Sequence, residues 1–215
     1  MEAVKTKAKV EFDLAFKLLK KNYPYVHCAL SFSNAFELLI ATILSAQCTD
    51  ERVNKVTPEL FKTYPNAKNL SEASVEEIEE LIKSTGFFRN KAKNIKACCE
   101  LLTQKHKNLV PKSMEELTEL PGVGRKTANV VLGNAYNIAL GIAVDTHVTR
   151  LANRLGWVKI KDAVKIESIL MKMCPQKDWI MLTHYLIAHG RAVCVARSPK
   201  CQTCFLQDAC PRLGV

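Results

Sequence analysis

Two groups of residues in this chain have the types and spacing that chemistry needs. Cys194, Cys201, Cys204 and Cys210 form a C-x6-C-x2-C-x5-C array within seventeen residues. So short a segment has no core of its own in which to bury four thiols, so a metal centre must organise it. Sulfur ligation suits zinc or an iron–sulfur cluster, and spacing leaves that choice open. Two disulfides fit poorly, because the first residues do not read as an export signal and the cysteines number nine. Arg191, Arg197, Lys200 and Arg212 stand in the same tail, so a metal-stiffened loop would present cations to phosphate.

The second group is LPGVGRKTANVVL, residues 120–132. Gly122, Gly124 and Thr127 superficially match a dinucleotide fingerprint, but that motif needs a preceding strand, and SMEELTEL before it reads as a capped helix. What remains is a helix–hairpin–helix DNA anchor, with an ordinary glycine-containing helix connection as the alternative. Its glycines permit a sharp turn with positive φ and let another backbone come close. Its second helix begins near Arg125, so the first N–H groups point outward to receive a phosphate without contacting a base. Lys126 lies in that first turn. Asp145, further along, immediately precedes a periodic stretch, which by itself reads as a helix N-cap.

The elements that must position these residues read as helices. Apolar spacing of three and four recurs throughout with almost no alternation, as at Ala128, Val131, Leu132 and Ala135, or Val148, Leu151, Ala152 and Leu155. Asn34–Glu37, Ser74–Glu77 and Ser113–Glu116 have capping-box spacing, Gly86 and Gly156 follow periodic stretches, and all eight prolines are expected between helices. About ten helices and an all-α fold follow. Glu76, Glu77, Glu79 and Glu80 read as a solvated face, and Cys28, Cys48, Cys98, Cys99 and Cys174 as small apolar residues.

Composition narrows the partner. Lysine and arginine exceed aspartate and glutamate by 31 to 21, a net charge of +10, which suits a polyanion; 48% apolar residues fill a core and argue against disorder. Six lysines in the first 21 residues interrupt the apolar positions, so neither a signal peptide nor a membrane span is expected there. The expectation is a soluble, cytoplasmic, nucleoid-associated monomer that contacts no membrane.

The hairpin, AVDTHVTRLANRLG (143–156), LLIATILSAQCTD (38–50) and the cysteine tail together resemble the endonuclease III family of DNA glycosylases and abasic-site lyases, over essentially the whole chain and in order. The resemblance implies a six-helix barrel over residues 28–139, with the hairpin at about 113–135. It implies a second lobe from residues 1–27 and 140–215 carrying a [4Fe-4S] cluster, with double-stranded DNA bound in the cleft. The substrate would be a damaged pyrimidine or an abasic site. It assigns the nucleophile to Lys126, a catalytic carboxylate to Asp145, entry into the duplex to Gln47, and a wedge beside the flipped nucleotide to Phe87. Phe87 or Phe88 packed on the barrel is the alternative. Arg89, Lys91, Lys93 and Lys96 are candidates for a phosphate-facing stripe, although a solvated helix face looks identical. His147 is a candidate DNA-binding residue and a candidate to orient Asp145, with a structural helical histidine as the alternative. Mismatch glycosylases of the same fold generally lack the lysine, and a zinc-stabilised DNA-binding module would not need Lys126 paired with Asp145.

Overall fold

The computed structural model describes residues 10–215, so Lys5, Lys7 and Lys9 of the lysine-rich start lie outside the described residues. Among the described residues the chain forms eleven α-helices, three 3-10 turns and no strand. The helices are α1 (Phe12–Asn22), α2 (Ala35–Leu44), α3 (Asp50–Thr63), α4 (Ala67–Glu72), α5 (Val75–Ile82), α6 (Phe88–His106), α7 (Met114–Glu119), α8 (Arg125–Tyr136), α9 (Thr146–Arg154), α10 (Ala163–Met173) and α11 (Trp179–Ala192). The chain divides into two units, each with its own buried core: residues 28–140, and residues 141–215 together with the segment ending at His27. No helix among the described residues is long and apolar enough to cross a membrane.

The 28–140 unit is built around α2. Every residue from Leu38 to Leu44 is buried, so this helix has no solvent face and must be covered on all sides. One cover is α8, which turns Ala128, Val131 and Leu132 into the same core, and α6 packs against α4 and α5. Local signals fix the starts. Asn34 accepts from the Glu37 N–H at 3.0 Å, and Ser113 from the Glu116 N–H at 3.2 Å. Ser74 and Glu77 form the fully reciprocal box. Gly86 (φ 67°) and Gly156 (φ 77°) occupy the positive-φ positions their spacing predicts.

One expectation is corrected. Pro58 sits inside α3, not between helices. A proline there forfeits one N–H bond of the ladder, but Val53, Val56, Thr57 and Leu60 are buried from the same helix and hold it against the core.

In the other unit the N-terminal segment is stitched to the far end of α9. The Val10 N–H donates to the Leu155 carbonyl at 2.9 Å, and the Trp157 indole Nε1 donates to the Val10 carbonyl at 3.0 Å. Phe12 stacks obliquely on Trp157 with centroids 5.1 Å apart, and Phe16 meets Tyr185 edge-on at 5.7 Å. Trp157→Phe keeps an aromatic ring but strands the buried Val10 carbonyl. It is expected to cost about 2 kcal/mol, read as a lower denaturation midpoint with an unchanged slope; an unaltered midpoint would show that the N-terminal segment is not integral to this unit.

Candidate catalytic hairpin and cysteine centre

The hairpin joins α7 to α8 through the turn Leu120–Gly124. Its two glycines do different work. Gly122 has φ +80°, and a Cβ there would lie 3.1 Å from the Asn94 Cβ and 3.4 Å from the Ile43 Cγ2, so both conformation and packing demand glycine. Gly124, the N-cap of α8, has φ −94° and nothing within 4 Å of where its Cβ would be. The fold alone does not require it, and positive φ at both glycines is corrected to Gly122 only. Gly124 also has no side chain to cap the first turn, so the α8 N–H groups meet no capping side chain from it. An anion drawn to the positive end of the helix fits that surface. Arg125 and Lys126 are exposed in this turn and Thr127 is half-buried. The Lys126 amine makes no hydrogen bond or ion pair among the described residues.

Asp145 is the N-cap of α9: its Oδ1 accepts from the Val148 N–H at 2.8 Å. Its second oxygen takes no bond among the described residues, so the cap and a chemical role are compatible. His147 points elsewhere. Its Nδ1 accepts from Arg150 Nη2 at 3.1 Å and lies so close to α11 that a Cβ on Gly190 would come within 2.8 Å of it. Burial, the largest influence, pushes this imidazole below the usual histidine range, with Asp145 acting against it. His147 therefore locks α9 to α11 and makes no hydrogen bond to Asp145.

Gln47 and Phe87 share a diagnostic backbone. Both are non-glycine residues with left-handed φ, 52° and 47°, and both are exposed, Phe87 to 64%. Holding a residue in that region costs on the order of 1–3 kcal/mol, and neither side chain recovers the cost by packing. Phe88 is the ring that packs against the core, with the Arg89 guanidinium 5.4 Å above it.

The basic stripe of α6 splits. Arg89 and Lys93 are exposed. Lys91 is corrected: it is 5% exposed, and its ammonium donates to the Leu44 and Thr85 carbonyls, each at 2.8 Å, so it is committed inside the fold and does not face phosphate. Lys96 likewise donates to the Ser71 and Ala73 carbonyls at 2.9 and 2.7 Å. Helical spacing places all four on one element but does not register which side chains reach a neighbouring helix end.

All nine cysteines are free thiols. Cys194, Cys201, Cys204 and Cys210 line one pocket of about 30 Å³ together with Arg154 and His189. The surroundings suit sulfur ligands of a metal centre. Arg154 Nη1 lies 3.4 Å from the Cys194 Sγ, the Leu206 N–H donates to the Cys204 Sγ at 3.4 Å, and His189 Nε2 lies 3.5 Å from the same sulfur. His189 Nδ1 is 3.0 Å from the Tyr23 hydroxyl, and burial pushes this histidine down to about 4. Burial also pushes the Cys204 and Cys210 thiols up, a cost that ligation to a cation reverses. Arg154 braces the loop besides, donating to the Val195 and Ala196 carbonyls at 2.7 and 2.9 Å. Sequence reading did not single out Arg154, His189 or Tyr23: Arg154 stands 40 residues before Cys194, and His189, 15 residues from Cys204, sits in a helix whose facing is set only by packing. Arg191, Arg197, Lys200 and Arg212 are exposed around this loop.

Known proteins match this chain over most of its length. A profile described as HhH-GPD superfamily base excision DNA repair protein matches residues 40–176, and one described as the iron–sulfur binding domain of endonuclease III matches residues 194–210. Endonuclease III of Synechocystis sp. is 56% identical over 194 residues, 90% of this chain and 89% of that protein. A solved structure of a non-covalent endonuclease III–DNA complex is 43% identical, with TM-score 0.90 over 98% of this chain and 96% of that one. A trapped endonuclease III–DNA covalent intermediate gives the same TM-score, identity and coverage.

Arg154→Met removes the brace and leaves the Val195 and Ala196 carbonyls without their donor. The expected outcome is about 2–3 kcal/mol lost and less visible absorbance per protein from the bound metal centre. Wild-type absorbance and melting would mean the four thiols hold their geometry without it.

Proposed function

This chain belongs to the endonuclease III family, within the HhH-GPD superfamily of base excision DNA repair proteins, and we propose that Lys126 is the nucleophile of a bifunctional DNA glycosylase and abasic-site lyase. The carrying observation is the exposed, unpaired Lys126 amine in the first turn of α8, beside backbone N–H groups that Gly124 leaves uncapped. Double-stranded DNA containing an oxidised pyrimidine is the substrate, and the protein acts as a monomer.

A primary amine can perform both halves of the reaction. The Lys126 nitrogen forms a bond to the sugar C1′ as the C1′–N bond to the damaged base breaks, and the base leaves with a proton. Cleavage of the C1′–O4′ bond, with O4′ taking up a proton, gives a protonated Schiff base, which makes the C2′ proton acidic. Loss of that proton expels the 3′ phosphate by β-elimination, and water then hydrolyses the imine to release the lysine. Asp145 stabilises the cationic sugar through its second oxygen and accepts the proton relayed from the amine. Gln47 enters the duplex where the damaged base has left, and Phe87 wedges beside the opened step; their exposed, strained placement supports both roles. Phosphates are held by the hairpin at Gly122, Gly124, Arg125 and Thr127, and by Arg89, Lys93 and Arg191.

The cofactor is a [4Fe-4S] cluster, and Cys194, Cys201, Cys204 and Cys210 are the residues that would hold it. When bound, it supplies the ligation that fixes the 194–210 loop and the cations around it.

Borohydride reduction tests the assignment. Wild-type protein with a thymine glycol duplex is expected to give a covalent protein–DNA band, and Lys126→Ala none. Excision without a trapped band would replace a lyase with a monofunctional glycosylase. Asp145→Asn is expected to slow single-turnover excision by about 10²–10⁴-fold and to change the shape of the pH–rate profile. An unchanged shape would remove its proton-accepting role and leave only the electrostatic one.

A further inference from the structure

The Lys91 ammonium has an unusual position. It joins two backbone carbonyls that sequence separates widely: Leu44, 47 residues away and the last residue of α2, and Thr85, the last residue of the 3-10 turn preceding α6. Each carbonyl stands at the base of one strained loop. Leu44 is followed by the turn in which the Cys48 N–H returns to the Ser45 carbonyl and lifts Gln47 out at φ 52°. Thr85 is followed by Gly86 and then by Phe87, whose own carbonyl accepts from the Lys91 backbone N–H at 3.1 Å. Lys91 therefore holds the Phe87 loop by main chain and side chain together, and the Gln47 loop by the same ammonium.

Both acceptors are helix ends, where the unshared carbonyls and the negative end of the dipole attract a cation. Burying an ammonium among neutral acceptors is costly, and burial pushes Lys91 below the usual lysine range. An apolar side chain of the same length would fill the space without that cost, but it could not tie the two loops to one point.

We infer that Lys91 is a positioning residue that sets Gln47 and Phe87 in register with each other and so controls how readily a paired lesion is opened. The inference rests on the reading of Gln47 and Phe87 as the two side chains that enter the duplex. Lys91 touches neither substrate nor reacting atoms, so its loss acts on opening and leaves the amine chemistry of Lys126 intact.

Lys91→Met keeps the stem and removes the donors. In single-turnover assays on the cluster-loaded protein, excision of thymine glycol from a fully paired duplex is expected to fall about tenfold to a hundredfold. Strand cleavage at an abasic site in a single strand, where no pair has to open, is expected to stay within about twofold. Equal loss on both substrates, or no loss on the paired one, overturns the inference. Gln47→Ala with Phe87→Ala, assayed in parallel, separates the two levels. Selective loss there with Lys91→Met unaffected sinks the Lys91 role alone, whereas no selective loss there sinks the entry reading beneath it. Should Lys91→Met fail to fold, Lys91→Gln, whose shorter amide reaches one carbonyl only, must show the same selective loss; an unselective effect again overturns the inference.

Discussion

A helix with no solvent face cannot leave its last carbonyls to water, and that constraint at α2 organises the 28–140 unit. All four are accounted for. Ala41 accepts from the Ser45 N–H, Thr42 from the Ser45 hydroxyl at 2.8 Å, Ile43 from the Ala46 N–H, and Leu44 from Lys91. The first three donors come from the next two residues in the chain. The fourth comes from α6, so satisfying α2 ties the helix that must be covered to the helix that Phe87 starts. The exposed loops are thereby anchored in the most buried part of the unit, where local opening is least frequent.

What the sequence made legible was local. Caps at Asn34, Ser74, Ser113 and Asp145 involve partners three residues away, and positive φ at Gly86, Gly122 and Gly156 concerns one residue, so pattern alone finds them. Lys91 was misread because its partners are set by packing: a lysine on an amphipathic helix looks the same whether its stem runs outward to solvent or inward to a carbonyl. Arg154 and His189 escaped for the same reason, since each meets the cysteine loop only after α9 and α11 are in place. Phe87 and Phe88 were indistinguishable as types. The left-handed backbone at Phe87 decides that one ring is exposed while its neighbour packs.

Within the 28–140 unit, strain distinguishes Gln47 and Phe87 from the residues that close helices. Non-glycine residues with left-handed φ also occur at Lys107, Asn108 and Asn137, where helices close and such residues satisfy terminal carbonyls, and at Ser198 and Arg212, which lie in the cysteine tail. Gln47 and Phe87 gain no comparable compensation: Phe87 opens a helix without capping it. Gly124 is the complementary case, a small residue with ample room around it. Unrepaid strain and unneeded smallness both point to a partner outside the chain, and all three positions lie in the unit that carries Lys126.

The cysteine tail poses the opposite problem. Burial drives the Cys204 and Cys210 thiols toward the protonated state, yet a ligand sulfur must be a thiolate. Bound iron would supply most of the compensating charge, and the protein adds two donors, the Arg154 guanidinium at Cys194 and the Leu206 N–H at Cys204. Because Arg154 also holds the Val195 and Ala196 carbonyls, the group that favours the charged sulfur is the group that shapes the backbone carrying it. Ligation and loop conformation are thus a single equilibrium: a tail that loses its metal loses the reason to keep four thiolates together, and the exposed cations of Arg197, Lys200 and Arg212 lose their fixed spacing with it.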